Sequence, residues 1–137
     1  MESTLTPEQL NKRRPPFVVL LGIQYTKVSH DSLEAEMLVR DDMCTPHETC
    51  HGGAMMTFAD TMGAVSTVVN MPRDARTMTM ESKTNFLRGA PMGQKLYGKT
   101  FCVHQGSRTQ VWRTEITRED GKLAASVTQT QMVIPAG

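Results

Sequence analysis

The chain has 137 residues, of which 39% are hydrophobic and 21% charged, with a net charge of +1. That length suits one domain with a core of its own, and the near-neutral charge gives no electrostatic footprint for nucleic acid. No apolar run approaches membrane-spanning length, and the opening MESTLTPEQLNKRR does not have the pattern of a signal peptide.

Residues 1–16 are expected to form a mobile or short helical arm. Thr6-Pro7-Glu8-Gln9 can start a helix, and Lys12-Arg13-Arg14 before Pro15-Pro16 reads as a solvated stretch. Residues 17–137 are expected to form the single domain. It opens with FVVLLG (17–22), a short apolar segment that must pack on something. Residues 23–29 and 33–40 read as strands, the second because Leu33, Ala35, Met37 and Val39 alternate with polar positions. Residues 41–50 form a loop. From 52 to 70 the apolar pattern is helical and nearly all-round, which predicts a helix buried on most sides. Four long strands follow, at 76–88, 94–105, 109–118 and 122–134, separated by GAPMG, HQGSR and REDG turns.

Two strands, one long helix and four more strands make an α+β chain. A single helix cannot cover both faces of six strands, so the expected shape is a curved antiparallel sheet wrapped around the helix. The outer face and an edge are left in need of cover, which favours a dimer.

The chemistry concentrates in HETCHGGAMMTFAD, residues 47–60. Gly52 and Gly53 stand where a loop becomes a helix. The first N–H groups there lack intrahelical partners, and glycine admits close approach of another molecule. Such a corner can polarise a carbonyl and hold an oxyanion; it equally suits a tight turn with no ligand. Asp60 lies inside the apolar helix, on one stripe with Gly53, Thr57 and Thr61. It is either satisfied by Thr57, Thr61 or an arginine, or it is a base or nucleophile in a built environment. Seven helical residues span roughly 10 Å, so Gly53 and Asp60 of one chain cannot act on one carbon. If both react, they come from different subunits.

These residues carry a resemblance. HGGAMMTFADTMGA resembles the HGG…AD signature of hotdog-fold acyl-CoA thioesterases, in particular the phenylacetyl-CoA thioesterase-like branch. TNFLRGAPMGQ and HQGSRTQVWRTEI resemble later blocks of the same branch, so the likeness runs over residues 20–134. It implies a hotdog fold, a homodimer with a continuous sheet, dimers that often pair into tetramers, and hydrolysis of an acyl-CoA to an acid and free CoA without a metal or other cofactor. It further implies that Gly53 offers its N–H to the thioester carbonyl and that Gly52 shapes the turn. His51 would sit near the leaving sulfur, and Asp60 of the opposite subunit would activate water or attack directly. Thr79, or Thr77 two residues earlier, would help to hold that water. Arg88, Ser107 and Arg108 are the candidates for the CoA phosphates. Thr45 stands where the family often has an asparagine, and that departure is the best support for the alternative, a non-catalytic acyl-CoA-binding hotdog protein; Asp60 argues against it. A hotdog dehydratase or hydratase is a third reading, without its motifs here.

Cys44, Cys50 and Cys102 are odd in number and lack metal-ligand spacing, which points to reduced thiols in a cytosol. Cys50, beside His51, reads as a packed residue rather than a nucleophile. His30 and His104 read as structural, and no histidine or carboxylate spacing suggests a metal site.

Overall fold

The computed structural model describes residues 5–137; residues 1–4 of the expected arm lie outside the described residues. Two short helices, α1 (Pro7–Lys12) and α2 (Pro16–Leu21), lead into strands β1 (Gln24–Val28) and β2 (Ser32–Leu38). A 3-10 turn at Asp41–Met43 precedes the long helix α3 (Gly52–Asn70). Strands β3 (Arg76–Phe86), β4 (Lys95–Gln105), β5 (Thr109–Thr117) and β6 (Leu123–Ile134) complete the chain. All six strands form one antiparallel sheet in the order β1-β2-β4-β5-β6-β3. This is the hotdog architecture that the resemblance implies, with α3 across the sheet.

The strands alternate as a one-sided sheet requires. In β6 the buried face is Ala125, Val127, Gln129, Gln131 and Val133, and in β5 it is Gln110, Trp112, Thr114 and Ile116. Helix α3 lays Met55, Phe58, Ala59, Met62, Gly63, Ser66 and Thr67 against this face. The i, i+3, i+4, i+7 spacing of that set is one stripe of the helix. The expectation of burial on most sides is therefore corrected for the single chain. Met56 and Val68, on the far side of α3, are 38% and 43% exposed. A single sheet has only one concave face; Ala54 and Val65 still pack against the core, while Met56 and Val68 are left partly exposed.

The N-terminal segment is helical, as Thr6-Pro7-Glu8-Gln9 predicts, with both hydrogen bonds of a capping box in place between Thr6 and Gln9. It is docked rather than mobile. The Asn11 amide donates to the Tyr25 carbonyl (3.0 Å) and accepts from the Tyr25 N–H (2.9 Å), as a neighbouring strand would. Arg14, expected to be solvated, donates to the Ile23 carbonyl at 2.8 Å. FVVLLG forms α2 and ends at Gly22, whose φ of 72° lies in the left-handed region. Only part of it packs: Val18 and Leu21 are buried, whereas Phe17, Val19 and Leu20 are exposed.

The two sheet edges differ. The five-residue β1 is short and covered by α1. The eleven-residue β3 pairs with β6 on one side and, among the described residues, has no strand on the other. Met78, Met80 and Phe86 along it are 62%, 57% and 51% exposed.

Candidate active site

The N-terminus of α3 is built by three consecutive residues. His51 is the cap, and its ring Nδ1 accepts from the Gly53 N–H at 2.8 Å. An accepting Nδ1 is unprotonated, so the neutral ring carries its proton on Nε2 and presents a donor there. Both glycines lie close against side-chain rings. A Cβ on Gly53 would meet His51 Nδ1 at 2.9 Å, and one on Gly52 would meet the Phe86 ring at 3.0 Å. The corner is thus packed by the chain's own rings, and the Gly53 N–H that the sequence reading offers to a carbonyl is occupied by His51. Gly53 and His51 open onto a cleft of about 300 Å³ lined also by Phe17, Leu21, Met43 and Thr57. Gly52 lines a separate cleft of about 370 Å³ with Met55, Phe86 and Arg88.

Asp60 is half-buried and its partners are not those the helix pattern suggests. Thr57 bonds back to the Gly53 carbonyl instead. The Asp60 carboxylate Oδ1 accepts from Thr79 Oγ1 on β3 at 2.7 Å. The Gln129 amide on β6 lies 3.4 Å from the same oxygen. Among the described residues Oδ2 carries no hydrogen bond. Thr79 reaches Asp60 beside a bulge: β3 and β6 pair Thr79 with Gln131 and then Glu81 with Thr130, so Met80 is the extra residue. A bulge bends its strand and re-aims the side chains beside it. Asp60 and Thr79 are brought together by this arrangement. Asp60 and Gly53 are not; they stand two turns apart on one helix, and neither Asp60 nor Thr79 lines the Gly53 cleft.

The remaining candidates are spread over the chain. The Thr45 hydroxyl is used within its own loop, on Thr49 Oγ1 at 3.1 Å and the His47 N–H at 3.3 Å. Arg88 donates to the Leu123 carbonyl at 2.8 Å, near the Gly52 end of the molecule. Ser107 and Arg108 line a third cleft of about 580 Å³, with Pro72, Ala75, Met80 and Met132 around the C-terminal end of α3. Arg88 and Arg108 therefore do not meet within one chain. Cys50 is buried, and burial first, then the neighbouring Cys44, pushes its thiol up to about 11, which suits a packed residue and not a nucleophile. His30 is tied to Asn70 at the end of α3 at 2.9 Å. Among the described residues no group of histidine, cysteine or carboxylate side chains could hold a metal ion.

Two buried glutamines behind Asp60 were missed by the sequence reading. Gln129 and Gln131 are 1% and 0% exposed. The signal was the alternation in LAASVTQTQMV, where both stand on the face of Ala125, Val127 and Val133.

The thioesterase superfamily model matches residues 47–125, which run from the His51 corner through Asp60 and Thr79 to the start of β6. The chain is 31% identical over 131 residues to the 1,4-dihydroxy-2-naphthoyl-CoA hydrolase of Escherichia coli, covering 95% of this chain and 96% of the relative. Its fold superposes on the crystal structure of thioesterase HI1161 from Haemophilus influenzae with a TM-score of 0.90 at 27% identity, covering 98% of this chain and 94% of that one. A mutant of thioesterase PA1618 from Pseudomonas aeruginosa gives 0.91 at 27% identity, over 97% of this chain and 96% of that one. The six-stranded sheet with one long helix across it is thus the hotdog fold of a thioester hydrolase, and the chain belongs to the thioesterase superfamily.

Proposed function

We propose that the protein hydrolyses an acyl-CoA thioester in a site shared by two protomers. The observation that carries this reading is the hydrogen bond from Thr79 to Asp60 at the open edge of the sheet. A polarised carboxylate stands there beside a strand that needs a partner. When β3 of a second chain pairs with this edge, the glycine corner of one chain approaches the Asp60 of the other. The thioester carbonyl then lies between the donors of one protomer, the Gly53 N–H and His51 Nε2–H, and the carboxylate of its partner. For Gly53 to donate, the His51 ring must turn away from it. Asp60 takes the proton of a water that adds to the carbonyl carbon, or adds to that carbon itself. When Asp60 acts as the base, the C–S bond breaks, the proton it took from the water passes to the leaving thiolate, and the carboxylic acid remains. When Asp60 adds itself, the C–S bond breaks to leave an acyl–Asp60 anhydride, which a water then hydrolyses to the carboxylic acid, freeing Asp60 and giving the proton to the CoA thiolate. Arg88 of one chain and Ser107 and Arg108 of the other are the groups offered to the CoA phosphates. The three free thiols fit a reducing cytoplasm.

For the acyl group, aromatic acids are the reading we favour. The E. coli relative is named for a bicyclic aromatic acyl-CoA, and the resemblance to phenylacetyl-CoA thioesterases points the same way. Assay of thiol release from benzoyl-, phenylacetyl-, acetyl- and palmitoyl-CoA tests the function. The expected result is release, greatest with an aromatic acyl group. Asp60→Asn is expected to lower turnover by orders of magnitude while the ester still binds, because an amide neither takes a proton nor attacks. Tight binding of every ester without thiol release would instead make the protein a carrier.

A further inference from the structure

Asp60 is held by one oxygen only, and the hydrogen bonds behind that oxygen run in one direction. Thr79 Oγ1 lies 2.7 Å from Asp60 Oδ1. An ionised carboxylate only accepts, so the Thr79 proton points to Asp60. Thr79 must then accept its other bond, and the Gln131 side chain supplies it at 2.6 Å through its NH2 group. That choice fixes the Gln131 amide with its oxygen toward Thr77, whose hydroxyl donates to it at 2.9 Å. Each link permits only one orientation of the next.

The amide is an expensive way to fill that place. Gln131 is fully buried on a face shared with Val127 and Val133. A methionine or leucine would pack there without the cost of desolvating an amide. The Gln131 amide sits opposite Thr79 and diagonal to Thr77, and those two hydroxyls are its partners. The second glutamine, Gln129, plays a lesser part. Its contacts to Asp60, 3.3 Å to the carbonyl and 3.4 Å to Oδ1, are at the long end of the hydrogen-bond range. The bonds of 2.6 and 2.7 Å through Thr79 dominate.

We propose that Gln131 is a positioning residue for the reaction: oriented by Thr77, it fixes the Thr79 hydroxyl as a donor to Asp60 Oδ1 and so leaves Oδ2 turned to the reacting water or carbonyl. The inference rests on the reading of Asp60 as the reacting carboxylate. Gln131 touches no substrate; it acts through Thr79.

The test measures kcat and KM for thiol release from the best aromatic acyl-CoA. In Gln131→Met, kcat is expected to fall about threefold to tenfold, the scale of one lost hydrogen bond between neutral groups, with KM unchanged. The same change made in a Thr79→Val background is expected to lower kcat less than about twofold, because the relay is already cut. A purely structural role predicts the same proportional loss in both backgrounds, and that result overturns the proposal. If Gln131→Met does not fold, Thr77→Val interrupts the same chain at a half-buried position. A fall in kcat that Thr77→Ser largely recovers supports the relay, and an unchanged kcat in Thr77→Val overturns it. Asp60→Asn, run alongside, separates the two levels. Activity retained there removes Asp60 and the function reading with it. Activity lost there, with additive Gln131 and Thr79 effects, removes the relay alone.

Discussion

Asp60 shows how a costly residue is accommodated. A half-buried carboxylate beside Phe58, Ala59 and Met62 needs hydrogen bonds, and it takes them from the sheet rather than from its own helix. Gly63, one turn further on, makes room for this. A Cβ there would lie 2.2 Å from Cδ of Gln129 and 2.3 Å from its Nε2. By helix propensity alone Gly63→Ala should stabilise α3 by about 1 kcal/mol. Overpacking a buried amide typically costs about 1–3 kcal/mol, and Gln129 is fully buried with its side-chain oxygen already lacking a partner. We expect the clash to win. Gly63→Ala should lower the unfolding free energy in urea by up to about 2 kcal/mol, and a gain in stability would show that Gln129 moves aside freely. At this scale a charge in an apolar helix marks Asp60 as a candidate, and the resemblance marks Thr79 or Thr77, of which Thr79 is the one that meets Asp60. The partner of Asp60 was not legible from spacing. Thr57 and Thr61 are its neighbours along the helix, but a helical carboxylate at a sheet surface is satisfied across the interface, and pairing distance is not written in sequence distance. Nor did the spacing show that the His51 ring would fold back onto the Gly53 N–H.

The six strands and the long helix were read to within two residues of their ends, because β2, β5 and β6 carry a period of two and the turns between the last four strands each carry a glycine, whereas α2 was read only as an apolar segment. The helix at 52–70 has the expected bounds. The departures come from tertiary contacts. Arginine-rich residues 12–14 look solvated in sequence, yet α1 lies along β1 through two hydrogen bonds from one side chain. Asn11 is a surrogate strand: its amide meets the N–H and the C=O of Tyr25 on an edge that would otherwise invite another chain. Asn11→Ala leaves both Tyr25 groups without their partner, at about 1–3 kcal/mol for buried polar groups left unpaired. Leu10, buried beneath the same helix, should then loosen with it. The expected outcome is faster amide exchange at Tyr25 and along Pro7–Lys12, with α3 and β4–β6 unchanged. Unaltered exchange at Tyr25 would mean that apolar contacts, not Asn11, hold α1 in place.

On the scale of the molecule, one protomer is incomplete in a consistent direction. The outer face over β2, β4 and β5 carries ion pairs such as Lys95–Glu36 and Lys99–Glu34 beside the exposed Tyr97. At β3 the edge is open and bears Met78, Met80 and Phe86, and the far side of α3 shows Met56 and Val68. Two antiparallel copies of β3 joined at their edges would continue the sheet and cover those methionines. They would also carry the Gly52–Phe86–Arg88 end of one chain toward the Met80–Ser107–Arg108 end of the other, uniting clefts that are separate in the monomer. The helix sets the same requirement at the reacting centre. Gly53 and Asp60 lie seven residues apart, roughly 10 Å along the axis, too far for both to act on one carbonyl carbon. A chain bearing Asp60→Asn and a chain bearing Gly53→Pro are therefore complementary. The first lacks the carboxylate, and the second lacks the N–H donor and crowds the His51 ring. Each homodimer should be nearly inactive. In the mixed dimer one of the two sites combines the unchanged glycine corner of the Asp60→Asn chain with the unchanged aspartate of the Gly53→Pro chain, and the other carries both defects. Co-expressing the two chains with different tags and isolating the doubly tagged dimer should restore up to about half of the wild-type turnover per dimer, one working site of two. Circular dichroism of the proline homodimer establishes that α3 still forms. Folded mixed dimers without activity would show that each site is built from a single chain, and Asp60 would then need another reason to stand in that helix.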